Sequence, residues 1–409
     1  YAEALRHDPH FVMATVRLAM FVRQRDPERA KSLLECASRC RDEITPREEL
    51  AFRIAESQMK GDSARTETLV DEYAKKYPQD PEAYQLKAVR FARKGKVAEA
   101  VAEFQRLLAV NPNYAYAYNS LGYYYAKMGD FAKGEDYLKR YRFLAPDQAN
   151  PYDSLGELYA NTGRYDEAEE SLKKALAIKR DFFPAHGHLG TVALGRGDFG
   201  TAGAEFLLAA DLVDTPGMKV EFAMNAAFSF ASAGRTEDAK KAMDRMESEY
   251  ASAGEAERKL LLRSIRMSQS AVFARLGETE RSEAFLKQAE AAAAAAPKTS
   301  EKYDPADFER SKAAITGLLA HVKGDHAAAV ASLEKALAPK DDMMGGFDYV
   351  PYQSLMRVAL AENLRQLGRF DDAQNALKSV LARNPHFQPA VAEMARLKEA
   401  PTETGARRS

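Results

Sequence analysis

"YNSLGYYYAKMGDFAKGEDYLKRYRFLAP", residues 118–146, holds two apolar stripes on either side of a single turn. Tyr118, Leu121, Gly122 and Tyr125 fall at i, i+3, i+4 and i+7, the spacing that gathers side chains on one face of a helix. "KMGDF" then turns the chain, and Gly129 supplies the helix stop because glycine reaches backbone conformations that other residues disfavour. Phe131, Gly134, Leu138 and Tyr141 form the inner side of a second helix, and Pro146 ends the unit. The small residue at Gly134 marks a place where two helices approach closely.

Outward from this unit the pattern repeats. Gly61, Gly95, Gly129, Gly163 and Gly197 are each 34 residues apart, and Gly122, Gly156 and Gly190 keep the same step. Ala100, Ala168 and Ala202 match Gly134. Pro78, Pro112 and Pro146 recur likewise, with Arg180 in the next place and Pro216 two residues past the place after that. A fixed period of this length means stacked units, none of which can bury its apolar face alone. Five units fit without gaps, 47–80, 81–114, 115–148, 149–182 and 183–216, and a further one fits near 12–44 with one residue missing at its turn.

Past "DTPG" at 214–217 the period loosens, and the marker glycines become Gly234, Gly277, Gly324 and Gly368. Each second helix still recurs, as in "GRTEDAKKAMDRM" and "GRFDDAQNALKSVL". The extra residues are expected to lengthen first helices or loops. The organisation predicted is a regular array over 1–216, longer irregular units over 217–387, a capping helix at 388–399 and a solvated tail at 400–409. The weakest junction is expected near Met343, Met344, Gly345 and Gly346, where protease should cut first. No segment shows sustained alternation, so no sheet is expected.

These units resemble the tetratricopeptide repeat family, whose pattern runs W-x2-L-G-x2-Y, then A-x3-F, then P. "YNSLGYYYAKMGDF", "YDSLGELYANTGRYDEAEESLKKAL" and "HGHLGTVALGRGDFGTAGAEFLLAA" carry it, with Tyr or His in place of Trp. The resemblance covers nearly the whole chain. It implies an all-α, right-handed superhelical solenoid of antiparallel helix pairs, about ten repeats with a C-terminal capping helix.

Composition narrows the function classes. The chain has 409 residues, 59 Lys plus Arg against 60 Asp plus Glu, and a net charge of −1. No domain-wide basic excess exists to neutralise phosphates, so nucleic acid is not an expected partner. No apolar run is long enough to insert in a membrane. Cys36 and Cys40, one helical turn apart, read as two small apolar residues of one helix. "YAEALRHDPHF" at the start reads as the tail of one helix, a turn and the beginning of another, so a structural unit is expected to have been cut there.

Several motifs point to chemistry and do not carry it. "GRGDFG", Gly195 to Gly200, matches a dinucleotide-binding string, but that chemistry needs a preceding strand, and here the string is a turn in register with "KMGDFAKG". His186 and His188 lie two apart on a helix and point to different faces, while His7, His10, His321, His326 and His386 are scattered near helix ends. Runs such as Glu169-Glu170 with Lys173-Lys174 belong to wet helix faces. No catalytic, cofactor-binding or metal-ligating set is expected.

Six tyrosines crowd between Tyr114 and Tyr125. Tyr118 and Tyr125 lie on the core stripe; Tyr114 and Tyr124 fall where neighbouring turns and repeats pack. Tyr116 and Tyr123 share a different stripe, turned away from the core. In the family this resembles, that stripe of the first helix lines a concave groove that binds partner peptides. Carried over, it gives Glu82, Gln85, Val89 and Arg93, then Tyr116, Asn119, Tyr123 and Lys127, then Asn150, Asp153, Glu157 and Asn161. Gln85 and Val89 replace the lysine and asparagine with which the chaperone-binding subgroup clamps a terminal carboxylate, so that partner is not implied. The reading is a non-catalytic scaffold for a protein or peptide partner, with no cofactor. A second reading makes the same array the sensory or regulatory arm of a larger bacterial chain, behind a kinase, cyclase or DNA-binding domain.

Overall fold

The computed structural model describes residues 1–8, 11–23, 26–40, 44–295, 305–338 and 352–399. The expected weak junction at Met343–Gly346 and the tail from 400 lie outside them. Among the described residues regular structure is helical throughout, in 22 helices. They fall into two compact units, divided between Tyr124 and Tyr125.

The first unit opens with α1 (Ala2–His7) and continues with α2 (Val12–Val22), α3 (Pro27–Arg39), α4 (Pro46–Met59), α5 (Ser63–Lys76), α6 (Pro81–Arg93) and α7 (Val97–Val110). It ends within α8 (Ala115–Lys127). The second unit takes up the last turn of α8 and then α9 (Phe131–Leu144), α10 (Ala149–Asn161), α11 (Tyr165–Ile178), α12 (Phe183–Gly195) and α13 (Phe199–Leu212). The longer helices follow: α14 (Pro216–Ser232), α15 (Thr236–Ser252), α16 (Glu255–Arg275), α17 (Thr279–Ala294) and α18 (Pro305–Val322). The last are α19 (His326–Ala336), α20 (Tyr352–Gln366), α21 (Phe370–Leu381) and α22 (Gln388–Glu399).

The marker glycines make the turns. From α4 onward each helix pair turns on one of them, Gly61 through Gly368, with φ between +70° and +84°, and no other described residue has positive φ. The next residue's N–H reaches back five residues, as Asp130 N–H does to the Tyr125 carbonyl at 2.9 Å, closing the last turn of the first helix. Asp62, Asp130, Asp198 and Asp325 then cap the second helix, each accepting from the N–H three residues on. "GRGDFG" is such a turn: Gly197 has φ +77° and Asp198 caps α13.

Between repeats, the tyrosine at the family's tryptophan position ties down the loop before it. Tyr84, Tyr118 and Tyr152 donate their hydroxyls to the carbonyls of Pro78, Pro112 and Pro146 at 2.8, 3.0 and 3.1 Å. Tyr118 is therefore half-buried and serves the loop, whereas Tyr125 is buried and stacks on Tyr137. Where Arg180 replaces proline, His186 replaces the tyrosine and meets the Glu205 carboxylate at 2.8 Å.

Small residues sit where helices nearly touch. A Cβ on Gly156 would lie 2.6 Å from Leu172 Cγ, and one on Gly190 2.8 Å from Phe206 Cε1. Leu121, Leu138, Leu155 and Leu172 are fully buried and repeat the same core layer. In the looser repeats first helices reach 17, 18 and 21 residues in α14, α18 and α16. Two second helices lengthen too, α15 to 17 residues and α17 to 16 against 14 in α9, α11 and α13, whereas α19 and α21 have 11 and 12.

In the second unit the chain returns upon itself. Asn384 and His386, between α21 and α22, meet the α10–α11 turn: Asn384 accepts from the Tyr165 hydroxyl at 3.2 Å, and His386 Nδ1 lies 3.0 Å from the Gly163 carbonyl. Arg383 lies over the Phe131 ring, and a Cβ added to Gly197 would lie 3.7 Å from Gln388 Cβ. A small cavity of 170 Å³ remains in this seam.

Candidate functional site

First helices of successive pairs touch one another, α2 with α4, α10 with α12 and α14 with α16, so each unit presents a wall of first helices. The residues singled out by sequence lie on first helices α6, α8 and α10, and they have distinct fates.

In the first unit, Glu82 at the start of α6 pairs with Arg17 of α2. Gln85 accepts from the Tyr114 hydroxyl at 2.6 Å, so this amide already serves a repeat junction. Val89 is half-buried and Arg93 exposed. Burial, and then the neighbouring charge of Arg93, pull the Arg23 guanidinium below its ordinary pKa. The end of the stripe is thus positive, while its start is neutralised by Arg17 and Glu82. Tyr116 keeps 48% of its surface exposed and sets its edge against Phe104, 6.1 Å between centroids; Tyr124 covers the same ring at 6.0 Å. Asn119 and Tyr123 are half-buried.

In the second unit, Lys127 is half-buried. Asn150 donates to the Tyr141 hydroxyl at 3.2 Å, and Asn161 donates to the Glu157 carbonyl at 3.0 Å. Asp153 and Glu157 are buried, at 3% and 9% exposure, so this part of α10 presents no bare carboxylate. Both face His188 of α12, whose Nδ1 lies 2.9 Å from Asp153 and whose Nε2 lies 3.5 Å from Glu157. Burial alone would strip the imidazolium of its proton; the two carboxylates together outweigh it and lift His188 to about 9. The triad is a charged clasp between neighbouring first helices. Sequence reasoning gave only that His188 and His186 diverge, because the three partners are spread over two repeats.

Cys36 and Cys40 are free thiols. Among the described residues no cluster of three or more His, Cys, Asp or Glu could hold a metal ion, and no helix is long and apolar enough to cross a membrane.

Residues 90–129 match a family model described as TPR repeat, and residues 149–182 and 358–398 match two described as tetratricopeptide repeat. The match at 149–182 has the bounds of a unit read from the glycine period. No curated protein matches the chain. Among solved structures, a tetratricopeptide repeat protein from Parabacteroides merdae is similar over 68% of this chain and 98% of its own, with 17% identity and a TM-score of 0.47. PilW, a type IV pilus biogenesis factor, aligns over 53% and 99%, with 17% identity and a TM-score of 0.44. MamA from Desulfovibrio magneticus aligns over 41% and 94%, with 22% identity and a TM-score of 0.36. With matched repeats at 90–129, 149–182 and 358–398, and a positive-φ glycine turning each pair from α4 on, the chain is a tetratricopeptide-repeat protein.

Proposed function

We propose that the protein is a non-catalytic interaction scaffold, and that the first-helix wall of its first unit holds a segment of a partner protein. The repeats themselves support the coarse reading, since this family is generally a protein-interaction fold without chemistry of its own. The observation that carries the finer one is Tyr116, a large ring left about half exposed on α8, where Tyr123 is half-buried and Tyr124 is packed on Phe104. Tyrosine brings wide contact area with few rotors to freeze, which suits a binding anchor. Arg23 and Arg93 add positive charge farther along the wall. Asn119 and Tyr123 would meet the same segment, and on the second unit Lys127 holds the repeat position of Arg93 and Asn150 that of Tyr116.

Affinity capture with the whole chain would supply a partner, and Tyr116→Ala and Tyr123→Ala variants would then be compared with the parent. Loss of a good anchor weakens binding by about 2 kcal/mol, roughly thirtyfold. If both variants melt like the parent and bind the captured partner at full strength, the wall is not the site.

A further inference from the structure

The inner side of the second unit encloses a cavity of about 1350 Å³, walled by first helices α14, α16, α18 and α20 and by the capping helix α22. We propose that this cavity is a second docking site, for a protein segment that presents carboxylates beside large apolar side chains.

Size and lining select that occupant. Small-molecule clefts hold about 300–1,000 Å³, so this space exceeds the needs of a compact metabolite. Met224, Phe228, Met267, Leu355 and Met356 make much of its wall. Three of these are methionines, whose unbranched side chains repack around apolar groups of different shape.

Charge gives the second half of the argument. Arg263, Arg275, Arg310, Arg357 and Arg396 line the cavity against Glu221, Asp307 and Glu362, although the chain as a whole carries −1. Asp307 is held by Arg310 one turn on, and Arg396 pairs with Glu393 and stands 3.8 Å from Glu362. Among the described residues Arg275 donates to the Ser232 hydroxyl at 3.3 Å and its charge also bears on Glu362, and Arg357 makes no ion pair. Burial raises the carboxyl pKa of Glu221, and burial followed by the charge of Glu393 raises that of Glu362. Five arginines face three acids across this lining, so the arginines set its sign. A guanidinium fork fits a carboxylate with two parallel hydrogen bonds. Inorganic anions and nucleic acids would use the arginines and leave the methionine–aromatic wall unmatched.

This site is separate from the Tyr116 wall and rests on the scaffold reading only for taking a protein segment as ligand. The test uses the whole chain and a fluorescein-labelled dodecapeptide, Glu-Leu-Glu-Phe repeated three times. Its lysine counterpart and a twelve-residue oligothymidylate are the comparators. Fluorescence anisotropy should show the acidic peptide binding at least tenfold tighter than the lysine peptide. Reversal of Arg275 and Arg357 together (Arg275→Glu, Arg357→Glu) should weaken it at least tenfold and turn the preference toward the lysine peptide. Arg357→Gln alone, a milder change for use if the double variant misfolds, should cost three- to fivefold. Tyr123→Ala should leave binding unchanged. Equal binding of both peptides, tighter binding of oligothymidylate, or full affinity in folded arginine variants would overturn the proposal. Loss through Tyr123→Ala with none through the arginines would also overturn it, while placing the peptide on the first-unit wall.

Discussion

His188 Nδ1 lies 2.9 Å from Asp153 Oδ1, joining two first helices at a point where both side chains are nearly sealed from water. The folded protein holds the proton on His188 to about pH 9, whereas the unfolded chain releases it near 6.5. The contribution is therefore complete below about pH 6.5 and disappears as pH rises through 9. A shift of this size corresponds to about 3 kcal/mol. Urea midpoints of the parent should fall between pH 7 and 9.5, and those of His188→Gln should fall much less. Parallel slopes would mean that the proton is not held by this clasp.

Removing only one member should be worse than removing the charge system. His188→Ala leaves Asp153 and Glu157 buried together, and breaking a buried ion pair this way typically costs about 3–5 kcal/mol. Asp153→Asn with Glu157→Gln and His188→Gln keeps the shape and removes all three charges. It should recover at least half of that loss in denaturant midpoint.

Two glycines of the same period should fail for different reasons. At Gly129 an added Cβ meets nothing within 4 Å, so Gly129→Ala should cost only the left-handed backbone, about 1–2 kcal/mol. Gly156 has an ordinary helical backbone, but its Cβ would press on Leu172 and the Ala168 carbonyl. Overpacking of that kind costs about 1–3 kcal/mol, and Leu172→Ala in the same chain should offset part of it. A Gly129→Ala variant rescued by any side-chain truncation would contradict the backbone assignment.

The seam between the two ends of the second unit can be measured separately. A Cβ on Gly163 would run into the Asn384 side chain. Gly163→Ala should thus cost more than Gly129→Ala, and the excess should vanish when combined with Asn384→Ala. Additive effects, within about 0.5 kcal/mol in thermal melts, would mean that the seam is open in solution.

The contrast between these positions also shows what a linear sequence can reveal. Gly61 to Gly368 announce the turns because positive φ is nearly a glycine property, and the step between them fixes the register of both helices. Tyr118 looked like core from its stripe; its hydroxyl, directed at Pro112, pulls it halfway out, which spacing of apolar residues does not encode. Tyr116 was readable as a surface ring, and its exposure agrees. Asp153, Glu157 and His188 were not readable as a set, since carboxylates on a helix look alike whether they face water or an imidazole one repeat away. The return of Asn384 to Tyr165 spans 219 residues, and periodicity carries no information about contacts between distant repeats.

That return has a consequence for how the chain can change over generations. Arrays of stacked pairs ordinarily gain and lose units by duplication and deletion, because each unit needs only its two neighbours. Between α12 and α20 this freedom is gone: one more or one fewer pair would carry Asn384 and His386 past the Gly163 turn. The second unit therefore has a fixed repeat number, and lineages should vary it by lengthening helices within a pair, as α14 to α17 already do, instead of by adding pairs.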